Sequence, residues 1–193
     1  MESQAQDYLD RLRVAIDGLP TDRLAQLGDM LYRAYRNEKQ VFTLGNGGSA
    51  STASHIAADL AKNTIGPNMT RFRITSLNDN AAILTALAND LGYENVFSEQ
   101  LQNLIRAGDV LIAVSASGNS PNVLKAIRYA RSRCAEVAGI LGFDGGQAAE
   151  LADLAIVVPS GDYGVVEDLH LIINHILVEY FQKKLAEEQP WVV

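Results

Sequence analysis

The stretch DVLIAVSASGNSPNVLKAIRYARSR, residues 109–133, decides the fold. Asp109–Val114 is an apolar run of strand length. The polar loop Ser115-Ala116-Ser117-Gly118-Asn119-Ser120 follows, and from Pro121 the chain reads as a helix. The same order occurs earlier. A short strand, Gln40 to Leu44, runs into GNGGSASTASHIAADLAKN, where the glycines make a turn and Ser49 to Lys62 reads as a helix. Two such units predict two helix N-termini at the carboxyl ends of parallel strands, where open α/β sheets bind their ligands.

Working outward, further short apolar runs fit strands at Arg71–Thr75, Glu136–Leu141 and Leu154–Val158. Ala81–Asp90 reads as a helix that Gly92 interrupts, and Val96–Arg106 as another. Leu9, Leu12 and Ile16 have helical spacing within residues 2–18. Gly18 and Pro20 break that helix. Thr21 is then a plausible N-cap for a second helix through about Asn37, with Leu24, Leu27, Leu31 and Tyr35 on one face. The last helix, Val165 to about Leu185, is apolar nearly all round. Strands alternating with helices predict a doubly wound α/β fold with a mostly parallel five-stranded sheet covered on both faces. Two N-terminal helices precede the sheet and a long C-terminal helix closes it. Residues 1–193 are expected to form one domain.

Composition narrows the partners. The chain is 48% apolar and 20% charged, which is ordinary for a globular protein. Its net charge of −7 argues against nucleic acid, because phosphate backbones favour basic surfaces. A small phosphorylated ligand needs only a few local donors. Cys134 stands alone, so no intramolecular disulfide is expected. No run approaches the about 18 uninterrupted apolar residues of a membrane span, and the N-terminus does not read as a signal peptide. A cytoplasmic protein is the simplest expectation.

The loops carry the chemistry. A helix N-terminus offers unpaired N–H groups and a partial positive charge, and so favours phosphate. Ser115, Ser117, Asn119 and Ser120 surround one such terminus, and Pro121 in its first turn has no N–H to waste. Spacing alone leaves two readings, an anion site and an N-capped turn. The first loop, Gly45-Asn46-Gly47-Gly48-Ser49, matches neither a dinucleotide fingerprint nor a Walker A sequence. His55 and Asp59, four apart, share a helix face, and so do Glu167 and His175, eight apart. If the two faces meet, two imidazoles and two carboxylates suit a divalent metal or acid–base work. Pattern alone favours a structural role, in the core or at an interface, for each histidine taken singly. His170 points away from that face, and Asp168 and Glu179 read as caps or solvated positions.

Four segments in this order resemble the sugar isomerase (SIS) domain: GNGGS at 45–49 followed by His55, ANDLGYENVFSEQL at 88–101, GDVLIAVSASGNSPNVLKAI at 108–127 and VEDLHLIINHIL at 166–177. Within that domain the chain resembles the phosphoheptose (sedoheptulose-7-phosphate) isomerases, from about Leu24 to Phe181. The resemblance implies a homotetramer with active sites between subunits. It implies phosphate held by Ser115, Ser117, Asn119 and Ser120, and sugar contacts from Asn46, Gly47, Ser49, Asp90 and Glu167. It places zinc, or another divalent ion, on His55, Asp59, Glu167 and His175, with Asp59 or Glu167 as base and His175 as acid. The implied product is a heptose 7-phosphate that feeds envelope or secondary-metabolite synthesis. Other relatives of the domain are non-catalytic sugar-phosphate sensors or scaffolds, one type binding the replication initiator, and others isomerise different phosphosugars. Three positions depart from the isomerase pattern. Asp59 stands where Glu is usual, which shortens its reach by about 1–1.5 Å. Glu167 stands in place of Gln, and Thr52 where Asp is common.

Overall fold

A computed structural model describes residues 1–66 and 70–188. The elements in order are α1 (Glu2–Asp17), α2 (Thr21–Arg36), β1 (Val41–Gly45), α3 (Gly48–Asn63), β2 (Ile74–Ser76), α4 (Ala81–Leu91) and a 3-10 turn (Tyr93–Asn95). They continue with α5 (Ser98–Leu104), β3 (Val110–Ser115), α6 (Pro121–Ser132), β4 (Glu136–Leu141), α7 (Gly146–Leu151), β5 (Leu154–Val157) and α8 (Tyr163–Glu188).

The five strands form one sheet in the order β2-β1-β3-β4-β5, and every pairing is parallel. Every residue of β1 and β3 is buried. That is why both read as unbroken apolar runs rather than alternating ones: helices cover the two faces of the sheet. On one face α1, α2, α3 and α8 pack over Val41, Ile112, Ile140 and Ile156. On the other, α5, α6 and α7 pack over Phe42, Leu44, Leu111 and Val137. In α3, Ile56 and Leu60 are fully buried, and each contributes about 2 kcal/mol by leaving water. The chain leaves β1 for one face through α3 and leaves the adjacent β3 for the other through α6. The sheet order reverses between these two strands, so a crevice opens at their carboxyl ends.

Several local expectations are corrected. On α1 the buried positions are Ala15 and, in part, Tyr8 and Leu12, while Leu9 and Ile16 are exposed. Polar bonds accompany that rotation: the Tyr8 hydroxyl donates to Asp168, in the second turn of α8, at 2.6 Å, and Arg11 pairs with Asp162, just before α8, at 3.4 Å. Thr21 is the first residue of α2 and not its cap. Pro20 takes the capping position, and its carbonyl accepts the N–H groups of Arg23 and Leu24. The helix expected over Val96–Arg106 is shorter, Ser98–Leu104, with the 3-10 turn before it. It stops because Asp109 reaches back to accept the Arg106 N–H at 2.8 Å. The second strand lies at Ile74–Ser76 rather than Arg71–Thr75. The short helix α7 adds to the elements legible in the sequence.

The last helix is buried on one side only within a single chain. Val166, Leu169, His170, Ile173, Asn174, Leu177 and Phe181 face inward. Ile176 is 41% exposed, and His175 is exposed beside it.

Candidate active site

The serine loop is cinched by its own groups. Ser115 Oγ, at the buried end of β3, accepts the Gly118 N–H at 3.1 Å, and Ser117 Oγ accepts the Asn119 N–H at 3.3 Å. The Asn119 carboxamide donates back to the Ser117 carbonyl and accepts the Gln147 N–H at 3.1 Å. Gly118 has φ 62° and packs on the Gly145 backbone, whose carbonyl carbon would lie 2.6 Å from any Cβ. Only glycine suits that conformation and that contact. Ser120 occupies the capping position of α6 without a side-chain capping bond. The capped-turn reading is therefore not realised by Ser120, and its hydroxyl is available to a ligand. A hydroxyl that accepts a loop N–H also keeps its own hydrogen to donate.

The first loop is held from elsewhere. Asn78 grips Gly45 at both backbone atoms, accepting its N–H at 3.1 Å and donating to its carbonyl at 2.9 Å. Asn46 and Asn122 exchange two hydrogen bonds of 2.9 Å, and the Tyr93 hydroxyl donates to Asn46 Oδ1 at 2.9 Å. These bonds tie the end of β1 to the first turn of α6. One Asn46 amide hydrogen remains to donate. Gly47 leads into α3, and Ser49 is buried in its first turn. Sequence reasoning missed Asn78, Asn122 and Tyr93. The signal for Asn122 was its place directly after Pro121.

Glu167 lies beside this loop. Its carboxylate stands over the Gly48 Cα, close enough that a Cβ there would sit 2.6 Å from Cδ. The positive end of α3 favours a carboxylate at that point. Asp90, at the exposed end of α4, accepts from Asn89 at 2.8 Å. Among the described residues no hydrogen bond joins Asp90 to either loop.

α3 and α8 pack together and bring His55, Asp59 and His175 to one point. One ligand atom from each lies within 4.8 Å of the others. Asp59 Oδ2 is 3.1 Å from His55 Nε2 and 3.8 Å from His175 Nε2. The two rings meet edge to face with centroids 5.4 Å apart. The Asp59 side chain is 16% exposed, whereas those of His55 and His175 are 42% and 57% exposed. Two carboxamides hold the carboxylate from behind. Asn63 donates to Oδ1 at 3.0 Å and Asn174 to Oδ2 at 2.8 Å. Two imidazoles and a carboxylate on an open side are a donor set that fits a catalytic zinc, which keeps one position for water or substrate. Glu167 does not join the three within one chain. Eight residues separate it from His175, a rise of roughly 12 Å along a helix.

His170, on the same helix as His175, is completely buried. Burial holds its ring down at about 4 by penalising the charged form. The nearby Leu141 carbonyl offsets part of this without reaching hydrogen-bond geometry.

Fold and site together define a doubly wound α/β protein whose crevice suits a phosphorylated ligand, with an imidazole–carboxylate centre beside it. The family model described as SIS domain matches residues 6–142. The phosphoheptose isomerase of Pelobacter propionicus is 40% identical over 169 residues, covering 84% of this chain and 85% of that protein. That of Mycobacterium tuberculosis is 38% identical over 175 residues, covering 91% and 89%. The structure of the phosphoheptose isomerase from Neisseria gonorrhoeae superposes with a TM-score of 0.88 at 28% identity, covering 94% of this chain and 98% of that one. The chain thus belongs to the SIS-domain family, and within it to the phosphoheptose isomerases. No helix among the described residues is long and apolar enough to cross a membrane.

Proposed function

We propose that this chain, acting as one SIS domain, interconverts sedoheptulose 7-phosphate and D-glycero-D-manno-heptose 7-phosphate through an enediol. One observation supports catalysis over mere sugar-phosphate binding or scaffolding: α3 and α8 converge to place His55, Asp59 and His175 together. A binding module has no use for that set beside a phosphate loop.

Moving a proton between C1 and C2 needs a base, an acid and stabilisation of the oxyanion. In this reading Ser115, Ser117, Asn119 and Ser120 hold the phosphate at the N-terminus of α6. Asn46, Gly47 and Ser49 line the sugar. Asp59 takes the proton from one carbon while His175 protonates the carbonyl oxygen, and Asp59 then returns its proton to the other carbon as His175 recovers one from the hydroxyl. Glu167, over Gly48, is the second carboxylate at the cleft and orients a sugar hydroxyl. His55, Asp59 and His175 would hold zinc or another divalent cation, which when bound polarises a carbonyl oxygen as a Lewis acid. The working form is a cytoplasmic homotetramer with sites between subunits, which gives Asp90 a route to the substrate of a neighbouring copy.

The test is sedoheptulose 7-phosphate turnover, with and without added zinc, by the native chain and by Asp59→Asn and His175→Ala. Near-complete loss is expected in both variants, and full activity in both sinks the assignment. Stoichiometric zinc in the purified protein favours the enzyme, whereas phosphate binding without metal favours the scaffold.

A further inference from the structure

Among the described residues, the buried side-chain polar atoms that lack a hydrogen-bond partner are His170 Nδ1, His170 Nε2 and Asn174 Oδ1. All three sit on two residues four apart on α8, and both residues are 0% exposed. Side chains four apart on a helix are neighbours. A buried polar atom left alone costs its full desolvation, so two such groups in adjacent turns favour pairing with each other. The other end of Asn174 is already committed, since Nδ2 donates to Asp59 Oδ2 at 2.8 Å.

A carboxamide can point either way. With the amide reversed, Oδ1 would face the carboxylate, acceptor against acceptor, and the hold on Asp59 would be lost. A donor at Oδ1 fixes the sense, and a neutral imidazole carries one N–H for that purpose. We propose that His170 is a positioning residue for Asp59, acting through Asn174: its ring N–H, through one bridging water, holds Asn174 Oδ1 so that Nδ2 stays on the carboxylate. Asp59 is a short acid whose placement depends on the groups behind it. Asn63 holds Oδ1 from within α3, and the His170–Asn174 relay holds Oδ2 from α8.

This inference rests on the catalytic reading of Asp59, so the test has one arm that does not. In the first arm, kcat and KM for sedoheptulose 7-phosphate are measured for His170→Phe, His170→Gln, Asn174→Leu and the His170→Phe/Asn174→Leu pair. His170→Phe is expected to lower kcat about 10-fold with KM little changed, as loss of an outer partner does. His170→Gln, which keeps a donor, recovers most of that loss. The double variant is no slower than Asn174→Leu alone, because both changes cut one relay. Loss factors that multiply in the double variant overturn the proposal, and so does a Gln variant as slow as Phe. In the second arm, hydrogen exchange of the Asn174 side-chain amide is followed by NMR. It is slow in the native chain and faster in His170→Phe, while unchanged exchange overturns the relay. If the native chain does not turn over the sugar, the catalytic reading falls and the exchange arm alone decides the role of His170.

Discussion

The two Gly/Ser loops follow the same strand–loop–helix order and are built in opposite ways. Residues 115–120 are held mostly by their own hydroxyls and amides, with Gly145 and Gln147 as outside supports. Residues 45–49 depend on Asn78, Tyr93, Asn122 and Glu167, which come from four separate parts of the chain. The second loop is therefore shaped largely by its own groups, whereas the first takes its shape only once α8, α6 and the 3-10 turn have docked. Affinity and turnover should accordingly answer to different mutations.

The largest effect should come from acid. The folded state resists protonating His170, whose ring is held at about 4, while the unfolded chain protonates near 6.5. Its contribution to stability is full above pH 6.5 and is lost as pH falls toward 4. It amounts to about 3 kcal/mol in all, since each tenfold change in proton affinity corresponds to about 1.4 kcal/mol. Denaturant titrations at pH 7 and pH 4.5 check this, and His170→Phe should show a flatter dependence than the native chain. Next, Gly48→Val drives a side chain into the Glu167 carboxylate and displaces the first loop, so kcat/KM should fall roughly 100-fold, as a shift near 1 Å does. Phosphate affinity, read with inorganic phosphate, should stay within a factor of about 2, since the second loop is untouched. Asn122→Ala removes both bonds to Asn46 and should cost about 10-fold in kcat/KM, on the order of one buried polar partner. The smallest change is Ser120→Ala. One half-buried donor to the phosphate is lost, and KM should rise about 5-fold with kcat unchanged.

The same contrast explains what could be read without coordinates. Asp109–Ser120 and Gln40–Ser49 announced their strands, turns and helix starts because each is a local pattern of burial and backbone freedom. The sheet followed from them. The His55/Asp59 pair and His175 were both legible from helical spacing, and the resemblance brought them to one site. What stayed hidden depends on distance. The buried face of α1 goes with bonds from Tyr8 to α8 and from Arg11 to Asp162 just before it, and Leu9 and Ile16 turn outward against their own periodicity. Glu167 shares a helix face with His175, yet packing sends its carboxylate to Gly48. The carboxamides Asn63, Asn78 and Asn174 carry no pattern at all. An asparagine gains meaning only from the group that it meets.

Gly48 and Glu167 are 119 positions apart in the chain, yet neither has freedom of its own. For heredity they are one character. A lineage that shortens the acid opens room for a side chain at the loop, and one that adds a side chain first must retract the acid. Substitutions at the two positions should thus be inherited as a pair, and a graft of either loop or helix into a relative carries its counterpart with it or fails.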